Sequence, residues 1–160
     1  MSLEKHRKGI DDIDKKLVDL LNERTEHALA IGAIKLKAGE EIYAPHRERL
    51  IFERLAKLNE GPVPDKAMQA IYREIMSCSL SLEKSLNIAY LGPEATYTHQ
   101  AAIRKFGQSL LYSPQKTIKD VFSEVQKDRA DYGVVPIENS TEGVVTHTLD
   151  LFVESTTFQW

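Results

Sequence analysis

Apolar residues recur at intervals of three and four along the first part of the chain: Ile10, Ile13, Leu17, Leu21, Ala28, Ile31 and Ala38. That spacing marks one face of a helix. It predicts a helix from about Leu3 to Ala38, stopped by Gly39. At about 1.5 Å per residue the helix is roughly 50 Å long, more than a small domain can cover alone. A second helix is predicted from Pro45, where proline suits a first helical position, to the breaker run Asn59-Glu60-Gly61-Pro62. A third runs from near Pro64-Asp65 to about Lys84.

The period changes after residue 85. Asn87 to Leu91 is a short apolar run closed by Gly92-Pro93, which reads as a strand. Helix is predicted from about Tyr97 to Phe106, strand over Ser109 to Tyr112 and helix over Ile118 to Asp128. Tyr132 to Ile137 reads as a third strand and Val144 to Val153 as another helix. Strands that alternate with helices imply a parallel α/β layer. Two units result: an all-α domain over residues 1–85 and an α/β part over residues 86–160.

Cations interrupt the apolar stripe. Arg24 and Lys35 fall on the face that should be buried, and the count backward reaches Arg7. Arg24 and Lys35 are about three turns apart, roughly 16 Å, so two long side chains leaning together can grip one small molecule. Arg7 lies about 25 Å from Arg24 along the same helix and cannot reach that pocket from its own chain. An antiparallel second copy would bring its Arg7 beside Lys35, and would also cover the long stripe. One intertwined dimer therefore answers both problems. The second helix repeats the anomaly, with Arg47 opening the face of Ile51, Leu55 and Leu58. The third continues Met68, Tyr72, Ile75 and Met76 into Ser79 and Glu83. A buried cation without a partner costs several kcal/mol, so inward cations call for an anion or a wet cavity. The alternative for each cation alone is a stem laid along apolar surface with its head in water, or, for Arg47, a pair with Glu48 or its neighbours.

Composition narrows the chemistry. A net charge of −3 gives no general attraction to nucleic acid or anionic membrane. No run approaches the ~20 apolar residues of a membrane span, and no secretion signal follows Met1, so a cytoplasmic protein is expected. The lone Cys78 sits in a helical apolar pattern and is expected to be a buried thiol. The histidines are scattered, with no metal-ligand spacing, and no glycine-rich phosphate loop appears, so neither metal nor cofactor is expected. No serine, cysteine or histidine stands beside a base and an orienting group. What remains is an electrostatic cage for a carboxylate-bearing ligand, suited to a unimolecular rearrangement without a cofactor.

The runs H-R-K-G-I-D-D-I-D, L-L-N-E-R, I-G-A-I-K, I-Y-A-P-H-R-E and A-I-Y-R-E-I-M-S-C-S-L-S-L-E resemble, in order and spacing, the all-helical chorismate mutases. The runs Y-L-G-P-E-A-T-Y-T-H-Q-A-A and V-V-P-I-E-N-S-T-E-G-V-V-T-H-T-L-D-L resemble prephenate dehydratases. Their order is similar to that of the bifunctional enzymes of phenylalanine biosynthesis. The resemblance implies a homodimer that converts chorismate to prephenate. It implies carboxylate contacts from Arg24, Arg47 and the Arg7 of a second chain. Lys35 would bond the ether oxygen, Glu48 would receive the substrate hydroxyl, and Ser79 would be a further polar contact.

Two positions depart from the mutase pattern. Glu83 stands where the family often has glutamine, and a carboxyl donates to an ether oxygen only when protonated. Mutase activity is therefore expected to fall as pH rises above the pKa of Glu83. Ala44 replaces an aspartate found in some members and offers no side-chain hydrogen bond. In the second half, Thr96, Thr98, Glu138, Asn139 and Ser140 would belong to a prephenate pocket at the strand ends. The later Thr-Arg-aromatic motif of that family is missing from these 160 residues, so by this resemblance the α/β part is expected to be incomplete, with exposed apolar surface and no dehydratase turnover. The competing expectation is a non-catalytic helical dimerisation or regulatory module that binds a small dicarboxylate. A nucleic-acid adaptor would need its basic residues on an outer face.

Overall fold

The computed structural model describes residues 2–139, 143–144 and 146–154. It divides into two compact units, one of Met1–Ile75 with Leu82–Lys84 and one of Met76–Ser81 with Ser85–Trp160. Among the described residues no helix is long and apolar enough to cross a membrane.

The first unit is helical. Helix α1 (Leu3–Ala38) begins at Ser2, whose side chain accepts from the Lys5 amide, and ends at Gly39, which takes the left-handed conformation at φ 70°. A glycine adopts that conformation without a side-chain clash and lets its N–H bond the last carbonyls. Helix α2 (Pro45–Leu58) opens on its proline, and Ala44 at the cap makes no side-chain bond. Asn59 closes it, its side-chain Nδ2 donating to the Val63 carbonyl at 2.8 Å and to Asp65 Oδ1 at 2.6 Å. Helix α3 (Asp65–Glu83) follows.

Little of this unit's apolar surface is covered by its own chain. Of its described hydrophobic residues, Ile42 and Leu55 are buried. Along α1 the predicted stripe lies open, with Ile10 at 56%, Ile13 at 55%, Leu17 at 50% and Ile31 at 54% exposure. A single helix buries its stripe only against another element, and three helices with so thin a core do not supply one.

The second unit is α/β. Strands β1 (Asn87–Leu91), β2 (Leu111–Gln115) and β3 (Tyr132–Val134) form a parallel sheet in the order β2-β1-β3. Ile88 pairs with Tyr112 on one side and Tyr132 on the other. The crossovers are α4 (Tyr97–Phe106) and α5 (Ile118–Gln126). Ile88, Ala89 and Tyr90 of the central strand are fully buried, as a strand covered on both faces should be. Val121, Phe122, Ala102 and Phe106 of the helices are also buried. A short antiparallel pair, β4 (Glu138–Asn139) and β5 (Gly143–Val144), precedes α6 (Thr146–Glu154).

The α/β boundaries depart from the expected ones. Strand β2 runs on to Gln115 through Pro114, because an edge strand tolerates the missing N–H. Strand β3 stops at Val134, before Pro136, which cannot donate to a ladder. Val144 belongs to β5 rather than to the last helix. Cys78 is exposed, not buried. The buried positions beside it belong to Ser77 and Ser79. Ser77 is accommodated because its Oγ accepts the Ser109 amide at 3.2 Å, so a small paired hydroxyl fills the place where an apolar side chain was expected.

Candidate active site

Glu83, in the last turn of α3, is half-buried against α1. The contact is made at Gly32. A β-carbon built there would stand 2.7 Å from Glu83 Oε2 and 2.9 Å from its Cγ. Glycine in a helix interior costs up to about 1 kcal/mol relative to alanine. Here it provides the space that the carboxyl occupies. Burial raises the pKa of Glu83 above the ordinary carboxylate range, while the charges of Lys35 and Arg24 pull it back down. The fold thus gathers Arg24, Lys35 and Glu83 in one electrostatic neighbourhood. Lys35 and Arg24 are both half-buried.

Lys35 is held by the α1–α2 connection. Its Nζ donates to the carbonyls of Glu41 at 3.2 Å and Ile42 at 2.9 Å. An ammonium has three donors, so one remains for a ligand oxygen. The next residue of the same connection, Tyr43, donates its hydroxyl to Glu48 Oε2 at 3.0 Å. The other carboxylate oxygen of Glu48 accepts from Arg73 of α3. Glu48 is therefore paired with Arg73 and Tyr43, not with its neighbour Arg47.

The remaining mutase-like positions are more dispersed. Arg47, in the first turn of α2, is exposed. Arg7 is exposed near the start of α1, about 25 Å along the helix from Arg24. Ser79 is buried on α3, one turn before Glu83. Gly32, Tyr43 and Arg73 were not singled out by sequence reasoning. A glycine inside a long predicted helix was the available sign for the first. The other two act through side-chain contacts between separate elements, which no spacing rule reports.

In the second unit the chain leaves β1 for one neighbour and crosses to the other, so the carboxyl ends of β1 and β3 form a topological switch point, where open α/β sheets bind ligands. Thr96 lies just beyond β1, but its hydroxyl already caps α4. It accepts from the His99 amide at 3.3 Å and donates to Pro93 at 3.0 Å. Thr98 is half-buried in the first turn of α4. The His99 ring stacks on Tyr90 with centroids 4.5 Å apart, and its Nδ1 accepts the Ala95 amide at 3.0 Å. Glu138 and Asn139 form β4 beyond β3, while Ser140 lies outside the described residues.

Comparison with known proteins gives this geometry a family. The model of the family Chorismate mutase type II matches residues 6–84, and that of Prephenate dehydratase matches residues 88–160. A bifunctional chorismate mutase/prephenate dehydratase of Aquifex aeolicus is 55% identical over 96% of this chain and 43% of its own. One of Neisseria gonorrhoeae is 49% identical over 91% of this chain and 40% of its own. The chain thus spans about two fifths of the length of these relatives. A chorismate mutase structure from Thermus thermophilus superposes with a TM-score of 0.50 at 32% identity, covering 51% of this chain and 92% of that one. The chain belongs, over residues 6–84, to the chorismate mutase type II family, and its residues 88–160 match the prephenate dehydratase family model.

Proposed function

We propose that the helical part converts chorismate to prephenate by a pericyclic rearrangement, in a cytoplasmic homodimer that serves phenylalanine biosynthesis. The observation that carries this reading is the half-buried Glu83 carboxyl set over Gly32 within the fields of Lys35 and Arg24. The rearrangement breaks the ether C–O bond of chorismate while a C–C bond forms, and negative charge develops on the ether oxygen. Lys35 donates to that oxygen through its remaining N–H, and Glu83 donates when protonated. Arg24 and Arg47, with the Arg7 of a second chain, hold the two carboxylates, and Glu48 accepts the substrate hydroxyl. Ser79 adds a polar contact. Binding selects the compact conformer, which takes up the entropic cost of bringing the two carbons together.

The domain boundary falls near residue 85, between residues 1–85 and 86–160. In the second part, Thr96, Thr98, Glu138, Asn139 and Ser140 are assigned to a prephenate pocket by their likeness to the dehydratase pattern. The exposed stripe of α1 supports the dimer under this reading and equally under a non-catalytic dicarboxylate-binding module. Following chorismate absorbance beside a mass measurement separates the two. Loss of chorismate by a dimer is expected. Tight binding with no loss favours the module, and full turnover by a monomer rejects the shared site.

A further inference from the structure

Glu48 is a half-buried carboxylate with 14% of its side chain exposed and both oxygens engaged. Two of its donors come from different elements. Arg73 reaches it from α3 and Tyr43 from the α1–α2 connection. The Arg73 guanidinium is itself seated, its central carbon 4.6 Å from the ring centroid of Phe52. Phe52 lies one turn after Glu48 on α2, so a single guanidinium engages both residues of one helix face. Tyr43 is constrained from the other side. Ile42 before it is buried, and the carbonyls of Glu41 and Ile42 hold the Lys35 ammonium. Three successive residues of one connection therefore secure Lys35 and Glu48 together.

A carboxylate offers about four lone-pair positions over its two oxygens, more than the Tyr43 and Arg73 bonds use. What the two bonds remove is rotational freedom. We propose that Tyr43 and Arg73 are positioning residues that fix the Glu48 carboxylate, and its spacing from Lys35, so that it accepts the hydroxyl of the substrate. This rests on the chorismate reading given above. The consequence is selectivity: the site favours a ligand that donates a hydrogen bond at this point over one that lacks the donor.

The test is a mutant cycle on kcat/KM for chorismate. Tyr43→Phe removes one hydroxyl and leaves the ring, and is expected to lower kcat/KM by roughly tenfold. In a Glu48→Ala background the same change is expected to cost less than about twofold, since its target is gone. Arg73→Lys should retain more activity than Arg73→Ala, and only while Glu48 is present. A chorismate analogue without the hydroxyl, measured as a competitive ligand, gives a readout independent of the Glu48→Ala fold. Tyr43→Phe is expected to leave its affinity unchanged. The positioning role is overturned if Tyr43→Phe stays within about twofold of the parent. It is equally overturned if its penalty persists undiminished without Glu48 or with the hydroxyl-free analogue, because a merely structural role would behave so. A parent protein that consumes no chorismate removes the underlying reading and this proposal with it. A parent that does consume it, with Glu48 and Tyr43 acting independently, removes the positioning role alone.

Discussion

Glu83 and Gly32 meet so closely that any side chain at Gly32 would enter the space of the Glu83 carboxyl, whose Oε2 stands 2.7 Å from an ideal β-carbon there. The contact explains how a long helix with an interior glycine is tolerated. The atoms in the way all belong to one side chain, the Oε2, Cγ and Cβ of Glu83, so a change at Gly32 acts first on Glu83.

Gly32→Ala should therefore divide stability from activity. Alanine gains up to about 1 kcal/mol of helix propensity, and the Glu83 side chain turns aside to admit it. Unfolding free energy is expected to stay within about 1 kcal/mol of the parent, while kcat/KM for chorismate falls by about tenfold or more. Denaturant melts and steady-state kinetics on the same preparation check this. A large stability loss with activity retained in the folded fraction would contradict it.

Titration of Glu83 gives the pH dependence its sign. Its folded pKa is raised by burial, so the folded state holds the proton more firmly than the unfolded chain. The associated stability is complete below the unfolded pKa and is lost as pH rises through the raised folded value. Across that window the melting temperature of Glu83→Gln, which cannot ionise, should gain on that of the parent. Activity should follow the same direction, with the alkaline fall of kcat flattened in Glu83→Gln. Equal alkaline losses in the two proteins would reject proton donation by Glu83.

The crossed contribution of Arg7 is checked by mixing. Arg7→Ala and Lys35→Ala proteins should each be impaired as homodimers. After subunit exchange, half of the dimers are mixed, and one of the two pockets in each regains both residues. About a quarter of parental activity is then expected. Mixing that restores nothing, with exchange verified by mass, would place Arg7 outside the site.

Covering the α1 stripe should be a condition of folding as well as of catalysis. Leu17 is 50% exposed in the single chain, near the middle of a helix of 36 residues. Leu17→Glu puts a charge into any helix pair formed there, at a cost of several kcal/mol. Sedimentation is expected to show monomer, with chorismate turnover lost alongside. Retained dimer at micromolar concentration would argue that another face makes the contact.

Thr96→Ala tests a division of labour in the second unit. Removing the cap of α4 should lower the stability of the unit by about 1 kcal/mol. Hydrogen exchange should quicken at the His99 amide, which the hydroxyl now protects. Unchanged protection would mean that the cap carries no weight.

The sequence by itself determined much of the helical half. Period, proline and glycine placement are local properties, and α1, α2 and α3 follow them closely. Arg24 and Lys35 were visible as misfits on an apolar face. Tertiary structure decided what those misfits face. The fit of Glu83 over Gly32 and the hold of Tyr43 and Arg73 on Glu48 join residues far apart in the chain. Strand ends in the second half also depended on neighbours, since Pro114 is acceptable only because β2 lies at an edge. Cys78 shows the limit most plainly: an apolar period names a face, but a small hydroxyl with a backbone partner can take the buried place and leave the thiol outside. Local pattern fixes how the backbone coils, whereas burial and pairing are settled only when distant segments compete for the same space and the same hydrogen bonds.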